Sequence, residues 1–240
     1  MKDNPDARHS IECQSYFDGL SESWELKYAA NGSMVGRIAR FVEQVKERVP
    51  IGGRILDFGC GAGDIAGQCA REGYKVDAVD SSAKMVGRAR ARFPIEGVEF
   101  NSCADTLKLP FADGTFDGIV ASSVLEYVSG VQQHLKELQR VCKDKGYLFI
   151  TVPNMAHPSR WMEAVIRCLV SPFRIRLRRT WRERGEYLAL SVNRHSRREW
   201  TKLFTRTGWI VIATKQRFSP LMLMVAEKGT TFAANRAKHV

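Results

Sequence analysis

The sequence predicts an α/β fold: a doubly wound, mostly parallel seven-stranded sheet with an antiparallel C-terminal hairpin, an N-terminal helical lid and a basic insert after strand 5. Three observations predict it. Short apolar runs alternate with helix-period segments between residues 50 and 153. A glycine-rich turn joins the first run to the helix after it, the join a ligand-binding parallel sheet uses. The charge is also split. Residues 1–159 hold 19 Lys/Arg and 21 Asp/Glu, whereas 160–240 hold 18 and 5, so the last third carries all of the +11 excess.

Each element follows in order. Val35, Ile38, Phe41, Val42 and Val45 recur at helical spacing, so 33–49 reads as a helix stopped by Pro50 and Gly52-Gly53. Residues 54–58 form a first strand, 59–63 the glycine turn, and a helix runs to about Arg71. Gly73 closes it, and 75–79 is a second strand ending at Asp80. Ser81-Ser82 can cap a helix that runs to Phe93, ahead of Pro94. Strands at 98–101, 116–122 and 147–152 follow, with a helix over 131–141. After Pro153 the alternation loosens, and 159–184 is rich in arginine and tryptophan. A helix from Arg197 to about Thr207 precedes strands at 209–214 and 221–226, close enough to pair antiparallel.

The expected organisation is a single domain over 1–240: a helical lid (1–49), a cofactor-binding core (50–153), a basic insert (154–195), and a closing helix and strands (196–228). A chain of 240 residues, 44% hydrophobic, can bury a sizeable core. Composition excludes collagen-like, coiled-coil and disordered classes. No run of eighteen apolar residues exists, and the first residues lack the hydrophobic segment of a signal peptide. Six scattered cysteines with no C-x-x-C pair point to free thiols in a reducing compartment, hence a cytoplasmic location, rather than a disulfide scaffold or a zinc site; no metal is expected.

Chemistry begins at Leu56-Asp57-Phe58-Gly59-Cys60-Gly61-Ala62-Gly63. Glycines let the backbone approach a ligand closely, and the following helix offers free N–H groups. Asp80 lies twenty-one residues after Gly59, where a carboxylate can accept hydrogen bonds from ribose hydroxyls. A nicotinamide dinucleotide fits this frame poorly: the third glycine position is Asp64, a carboxylate where a pyrophosphate would dock. Asp57 makes better sense beside a cationic ligand end. S-adenosylmethionine carries an ammonium and a sulfonium and no phosphate.

Five stretches in order, LDFGCGAG, VDAVDSSAKM, CADTLKLPF, FDGIVASSVLEYV and LKELQRVCKDKGYLFITVPN, resemble the class I S-adenosylmethionine-dependent methyltransferases, and most of all the small-molecule branch typified by quinone-biosynthesis enzymes. The resemblance covers about residues 54–154. It implies that Gly59 and Gly61 line the methionine part of the cofactor with Asp57 behind them; Cys60 beside it, with no basic partner nearby in sequence, reads as a small filler rather than a nucleophile. Asp80, with neighbouring Ser81, would hold the ribose, and Met85 would pack on the adenine. Asp105, with Ala104 or Thr106, would bond the adenine edge, and Ser122 would sit beside the methionine carboxylate or sulfur. Tyr127 stands where many relatives have histidine, so no acceptor-site histidine is carried over there.

The residues leave the acceptor side more open. His157 follows the fifth strand, beyond whose carboxyl end ligands of parallel sheets bind, and is the candidate catalytic residue. His134, on an apolar helix face, reads as packing or surface, and His195 as acceptor-facing or a cap. Tyr16, Phe17, Trp24 and Tyr28 can close over the cofactor. Methyl transfer needs alignment above all, and a base only for a poorly ionised hydroxyl.

Residues 160–184 contain eight arginines and two glutamates. Arg160, Glu163, Arg167, Ser171, Arg174, Arg178 and Arg182 fall on one helical face, with Trp161, Val165, Ile166, Leu169, Phe173 and Leu177 on others, which resembles an interfacial helix. About 1 kcal/mol per arginine at an anionic bilayer gives only sub-millimolar binding, so apolar side chains must contribute too. The expected function is S-adenosylmethionine-dependent methylation, by resemblance O-methylation, of a small acidic or lipid-linked acceptor, with peripheral contact at an anionic membrane surface. A solvated lid is the plain alternative for the basic segment. An RNA methyltransferase, a nicotinamide oxidoreductase and a silent cofactor-binding scaffold compete as functions.

Overall fold

A computed structural model of the chain describes residues 5–24, 32–170, 188–215 and 219–229. Its seven strands are β1 (Arg54–Phe58), β2 (Lys75–Asp80), β3 (Val98–Ser102), β4 (Phe116–Ser122), β5 (Cys142–Pro153), β6 (Trp209–Lys215) and β7 (Leu221–Lys228). They form one sheet of order β3-β2-β1-β4-β5-β7-β6, in which β7 pairs antiparallel with both β5 and β6 and every other pair is parallel. The expected sheet and hairpin are therefore present. The helices are α1 (Pro5–Leu20), α2 (Gly32–Lys46), α3 (Asp64–Arg71), α4 (Ala83–Arg92), α5 (Val131–Val141), α6 (Ser159–Val170) and α7 (Arg197–Arg206).

The central strands are buried on both faces, which explains their unbroken apolar runs. One core layer joins β1, β4 and β5 to α5 and α7 through Leu56, Ile119, Leu135, Leu148, Trp200 and Phe204; the other joins the sheet to α2, α3 and α4 through Phe41, Val45, Ile55, Ala66, Val86 and Phe149.

The one strand that departs from expectation is β5, which starts at Cys142, directly after α5, rather than at residue 147. Phe116 pairs with Cys142, the register then shifts, and Gly118 pairs with Tyr147. Lys145 takes a left-handed φ of 61° within this irregularity. Gly146 follows because an added Cβ would lie 2.6 Å from the Cys142 sulfur. Residues without strong apolar signal are thus drawn into the ladder by pairing, which local pattern does not report.

Strand order reverses between β1 and β4, and the carboxyl ends of these strands open the crevice where parallel sheets bind ligands. Among the described residues, no helix is long and apolar enough to cross a membrane.

Candidate active site

The floor of the crevice is the turn after β1. Gly59 and Cys60 donate their backbone N–H groups to the Val79 carbonyl at 2.8 and 3.0 Å, pinning the turn to β2. Gly59 has φ 73°, and a Cβ there would lie 2.3 Å from Val124, so only glycine fits between β1 and the loop after β4. Gly63 caps α3 in a left-handed conformation. Gly61 differs: an added Cβ would meet only the Trp24 ring edge, at 3.7 Å, so the backbone there faces open space under an aromatic cover. That is the cradle a cofactor lying against the main chain requires.

Asp80 closes the cradle. Its Oδ2 accepts from the Gly61 N–H at 2.8 Å and its Oδ1 from the Ser82 N–H at 2.9 Å, tying the turn to the start of α4. Burial raises its carboxyl, and the N–H donors of Ser82 and Gly61 oppose that shift. Asp57 lies behind the turn, buried, with Oδ2 accepting from the Ala66 N–H at 3.1 Å. Desolvation pushes its carboxyl up to about 7, with Asp80 and Asp64 adding to the effect. Asp57 therefore organises the start of α3. Asp64, the carboxylate set against a pyrophosphate, is held by both guanidinium nitrogens of Arg92, at 2.7 and 3.0 Å. The Cys60 thiol is raised well above its ordinary value, chiefly by burial, which makes it an unreactive filler.

The remaining cofactor candidates ring the β2 and β3 side. Ser81 offers its carbonyl to Gln14 Nε2 at 3.0 Å, and Met85 is buried in α4. Ala104 and Asp105 are exposed, and Asp105 Oδ1 accepts from the Leu107 N–H at 3.0 Å. Thr106 Oγ1 lies 2.9 Å from His134 Nε2, and the other His134 nitrogen lies 3.3 Å from the Gly130 carbonyl. His134 is thus a satisfied packing histidine.

The aromatic cover forms as expected where it is described. Phe17 on α1 meets Tyr16 at 5.5 Å, Trp24 at 6.3 Å and Tyr127 at 5.4 Å between ring centroids. His9 Nε2 lies 2.8 Å from the Tyr127 carbonyl, and the Ser82 hydroxyl hydrogen-bonds Asp18. α1 therefore bridges both halves of the crevice. Tyr28 lies outside the described residues.

At the ends of β4 and β5, Ser122 Oγ is 3.5 Å from Thr151 Oγ1, and Ser123, at φ 55°, donates its N–H to the same oxygen at 3.0 Å. Arg37 reaches in from α2 to donate to Ser123 Oγ at 3.2 Å. Sequence reasoning missed Arg37, which sits on the polar side of a plain amphipathic helix. It also missed Glu126, which lies inside a quoted motif but is buried with its Oε2 unbonded.

His157 lies beyond β5, as expected, but at the start of α6. Its Nδ1 accepts from the Ser159 N–H at 3.2 Å and lies 2.8 Å from Ser159 Oγ, so the ring is tied to that turn. The insert departs from its expected orientation. Arg160 and Glu163 point inward as an ion pair at 2.6 Å, and Arg194 joins Glu163 at 2.6 Å. Trp161, Met162 and Val165 point outward instead, 82%, 52% and 55% exposed. The reason is position: Arg160 also donates to the Pro220 carbonyl and Glu163 meets Arg194, so sheet and loop claim the charged face. Residues 171–187, with the densest arginines, lie outside the described residues. Among the described residues, no group of three His, Cys, Asp or Glu side chains could hold a metal.

A family profile described as a methyltransferase domain matches residues 56–150. The chain is 33% identical over 100 residues to the ubiquinone biosynthesis O-methyltransferase of Rickettsia conorii, covering 42% of this chain and 35% of that one. It is 37% identical over 112 residues to the ubiquinone/menaquinone biosynthesis C-methyltransferase of Desulfotalea psychrophila, covering 46% and 45%. The chain thus spans less than half the length of these two relatives. Among solved structures, magnesium protoporphyrin IX methyltransferase from Synechocystis PCC 6803, with bound S-adenosylhomocysteine, superposes with a TM-score of 0.63 at 18% identity, covering 81% and 83% of the chains.

Proposed function

We propose that this chain is a class I S-adenosylmethionine-dependent methyltransferase, a reading supported by the methyltransferase-domain match over residues 56–150, and that it methylates a small acidic or lipid-linked acceptor, on oxygen. The observation that carries the reading is the open turn at Gly61, closed on one side by Asp80 and roofed by Trp24. The Arg92 guanidinium beside the turn is spent on Asp64 and the Ala62 carbonyl, and the groups facing the turn from below are the carboxyls of Asp57 and Asp80, which suits a cationic ligand.

When bound, S-adenosylmethionine supplies a methyl group on a sulfonium. Gly59 and Gly61 hold its methionine part, with Cys60 and Asp57 behind them. Asp80 and Ser81 take the ribose, and Met85, Ala104, Asp105 and Thr106 the adenine. Ser122 lies at the reacting end. Arg37 supplies the cation that a ligand carboxylate needs beside Ser123. Phe17, Trp24 and Tyr127 exclude water, which aligns the acceptor and strengthens every charge interaction inside.

O-methylation follows the Rickettsia relative, named for a quinone O-methyltransferase; the Desulfotalea relative methylates carbon. We assign the protein to the cytoplasm, in contact with an anionic membrane surface. The outward Trp161, Met162 and Val165 supply the apolar contact that arginines alone lack, and the seven arginines of 167–184 supply the charge. This favours a lipid-linked acceptor over RNA.

Calorimetry tests the cofactor reading: wild type binds S-adenosylhomocysteine and not NADH, and Asp80→Ala binds it far more weakly. NADH binding, or undiminished binding by Asp80→Ala, overturns it. Untargeted metabolite comparison with and without the enzyme then reads the acceptor as a mass gain of one CH2.

A further inference from the structure

Glu126 has no part in the cofactor cradle, yet it stands four residues beyond the end of β4, at the crevice. It is only 1% exposed, and its Oε2 has no hydrogen-bond partner. A buried carboxylate with an unbonded oxygen costs several kcal/mol unless something compensates, so its persistence calls for a ligand or a function. Its backbone is not the cause. The Glu126 carbonyl is satisfied by the Val192 and Asn193 N–H groups at 2.9 and 3.0 Å. Those bonds draw the C-terminal end of the insert across the loop, and Asn193 Nδ2 fastens it further to the Leu125 and Val128 carbonyls at 2.8 and 2.6 Å. On that same segment Ser191 is buried with its hydroxyl also unbonded.

Three guanidinium groups act on the Glu126 carboxyl: Arg37 from α2, Arg160 from α6 and Arg194 from the segment before α7. The Tyr127 hydroxyl acts from its own loop. Arg160 and Arg194 are already paired with Glu163, and Arg37 bonds Ser123, so none is consumed by Glu126. Burial outweighs all four and pushes the carboxyl up to about 7. A short aromatic chain links the Glu126 loop to the cofactor turn: Tyr127, next in sequence, meets Phe17, Phe17 meets Trp24, and Trp24 covers Gly61.

We propose that Glu126 is the general base of the reaction, its free Oε2 taking the proton of an acceptor hydroxyl bound between the aromatic lid and residues 191–194. This rests on the methyltransferase reading above. As the acceptor oxygen bonds to the methyl carbon, the carbon–sulfur bond breaks with its electron pair left on sulfur. The acceptor O–H bond breaks, and the proton passes to Oε2, to be released to solvent when the lid opens. His157 is less suited, because its Nδ1 is already engaged at the start of α6.

The test pairs two phenols with S-adenosylmethionine: 3,4-dihydroxybenzoate, whose hydroxyls are neutral at assay pH, and 4-nitrocatechol, which is already ionised. Glu126→Gln should bind S-adenosylhomocysteine like wild type. It should lose about 100-fold in kcat on the first phenol with KM little changed, lose the acidic limb of the pH profile, and lose less than about tenfold on the second. A readout independent of turnover is the melting temperature: the advantage of Glu126→Gln over wild type should grow from pH 5 to pH 8, as the buried carboxyl ionises. Equal losses on both phenols, a retained acidic limb, or a melting difference that does not vary with pH overturns the proposal. So does a wild type that binds S-adenosylhomocysteine yet methylates neither phenol, which leaves the cofactor reading intact. Failure to bind S-adenosylhomocysteine at all instead removes the cofactor reading itself.

Discussion

Asp57 and Glu126 are buried carboxyls at two ends of one crevice, both pushed up to about 7 by desolvation, yet they are built differently. Asp57 has a structural partner: its Oδ2 accepts the Ala66 N–H, and the turn above it is pinned to β2. In Glu126 the Oε2 has no partner, and Arg37, Arg160 and Arg194 act on the carboxyl through their charge. The difference teaches that burial alone does not distinguish a scaffold acid from a reactive one. The partner of each oxygen does: Asp57 Oδ2 accepts an N–H that fixes the start of α3, whereas Glu126 Oε2 accepts none and is left for a ligand's proton.

The comparison breaks most completely at the satisfied end. Gly59→Ala must relieve both a left-handed φ and a 2.3 Å approach to Val124, so denaturant unfolding should report a loss of about 4 kcal/mol. A loss below 1 kcal/mol means the turn is not fixed as described.

The pH dependence of stability sharpens the orphaned end. A carboxyl near 7 in the folded chain, with an ordinary value of 4.5, holds its proton more tightly when folded. Its contribution is full below the ordinary value and is lost as pH rises through about 7, a change of about 3 kcal/mol. Glu126→Gln should abolish that share, and Asp57→Asn its own share in the same direction, in thermal unfolding between pH 4 and pH 8.

Asp80→Ala removes an acceptor of two backbone N–H groups and the proposed ribose contact, and calorimetry should show S-adenosylhomocysteine affinity falling about 30- to 100-fold. The smallest effect lies outside the crevice. Trp161→Ser should weaken co-sedimentation with anionic liposomes about tenfold while leaving cofactor affinity unchanged. Binding that ignores both this change and added salt removes the membrane contact.

The half of the crevice around the glycine turn was readable because its signals are local. Glycines, a strand end and an acid at fixed spacing state a turn, and Gly59, Gly61, Asp57 and Asp80 meet where their spacing places them. The acceptor half was readable only in part. His157 lies at the expected strand end but serves the start of α6. Arg160 and Glu163 sit on one helical face, as their spacing says, but that face turns inward to Arg194 and Pro220, partners dozens of residues away. Periodicity reports which residues share a face and not what the face meets.

By itself the sequence determined the alternating sheet, the antiparallel hairpin, the glycine turn with its two acids, and the concentration of positive charge beyond residue 159. All are encoded within short windows or by composition. Only the tertiary structure decided that Arg37 reaches Ser123, that α6 shows tryptophan rather than arginine to the outside at its start, and that Glu126 is enclosed with an unbonded oxygen. Those outcomes depend on which distant donors arrive at a buried group, and chain separation hides that until the sheet brings them together.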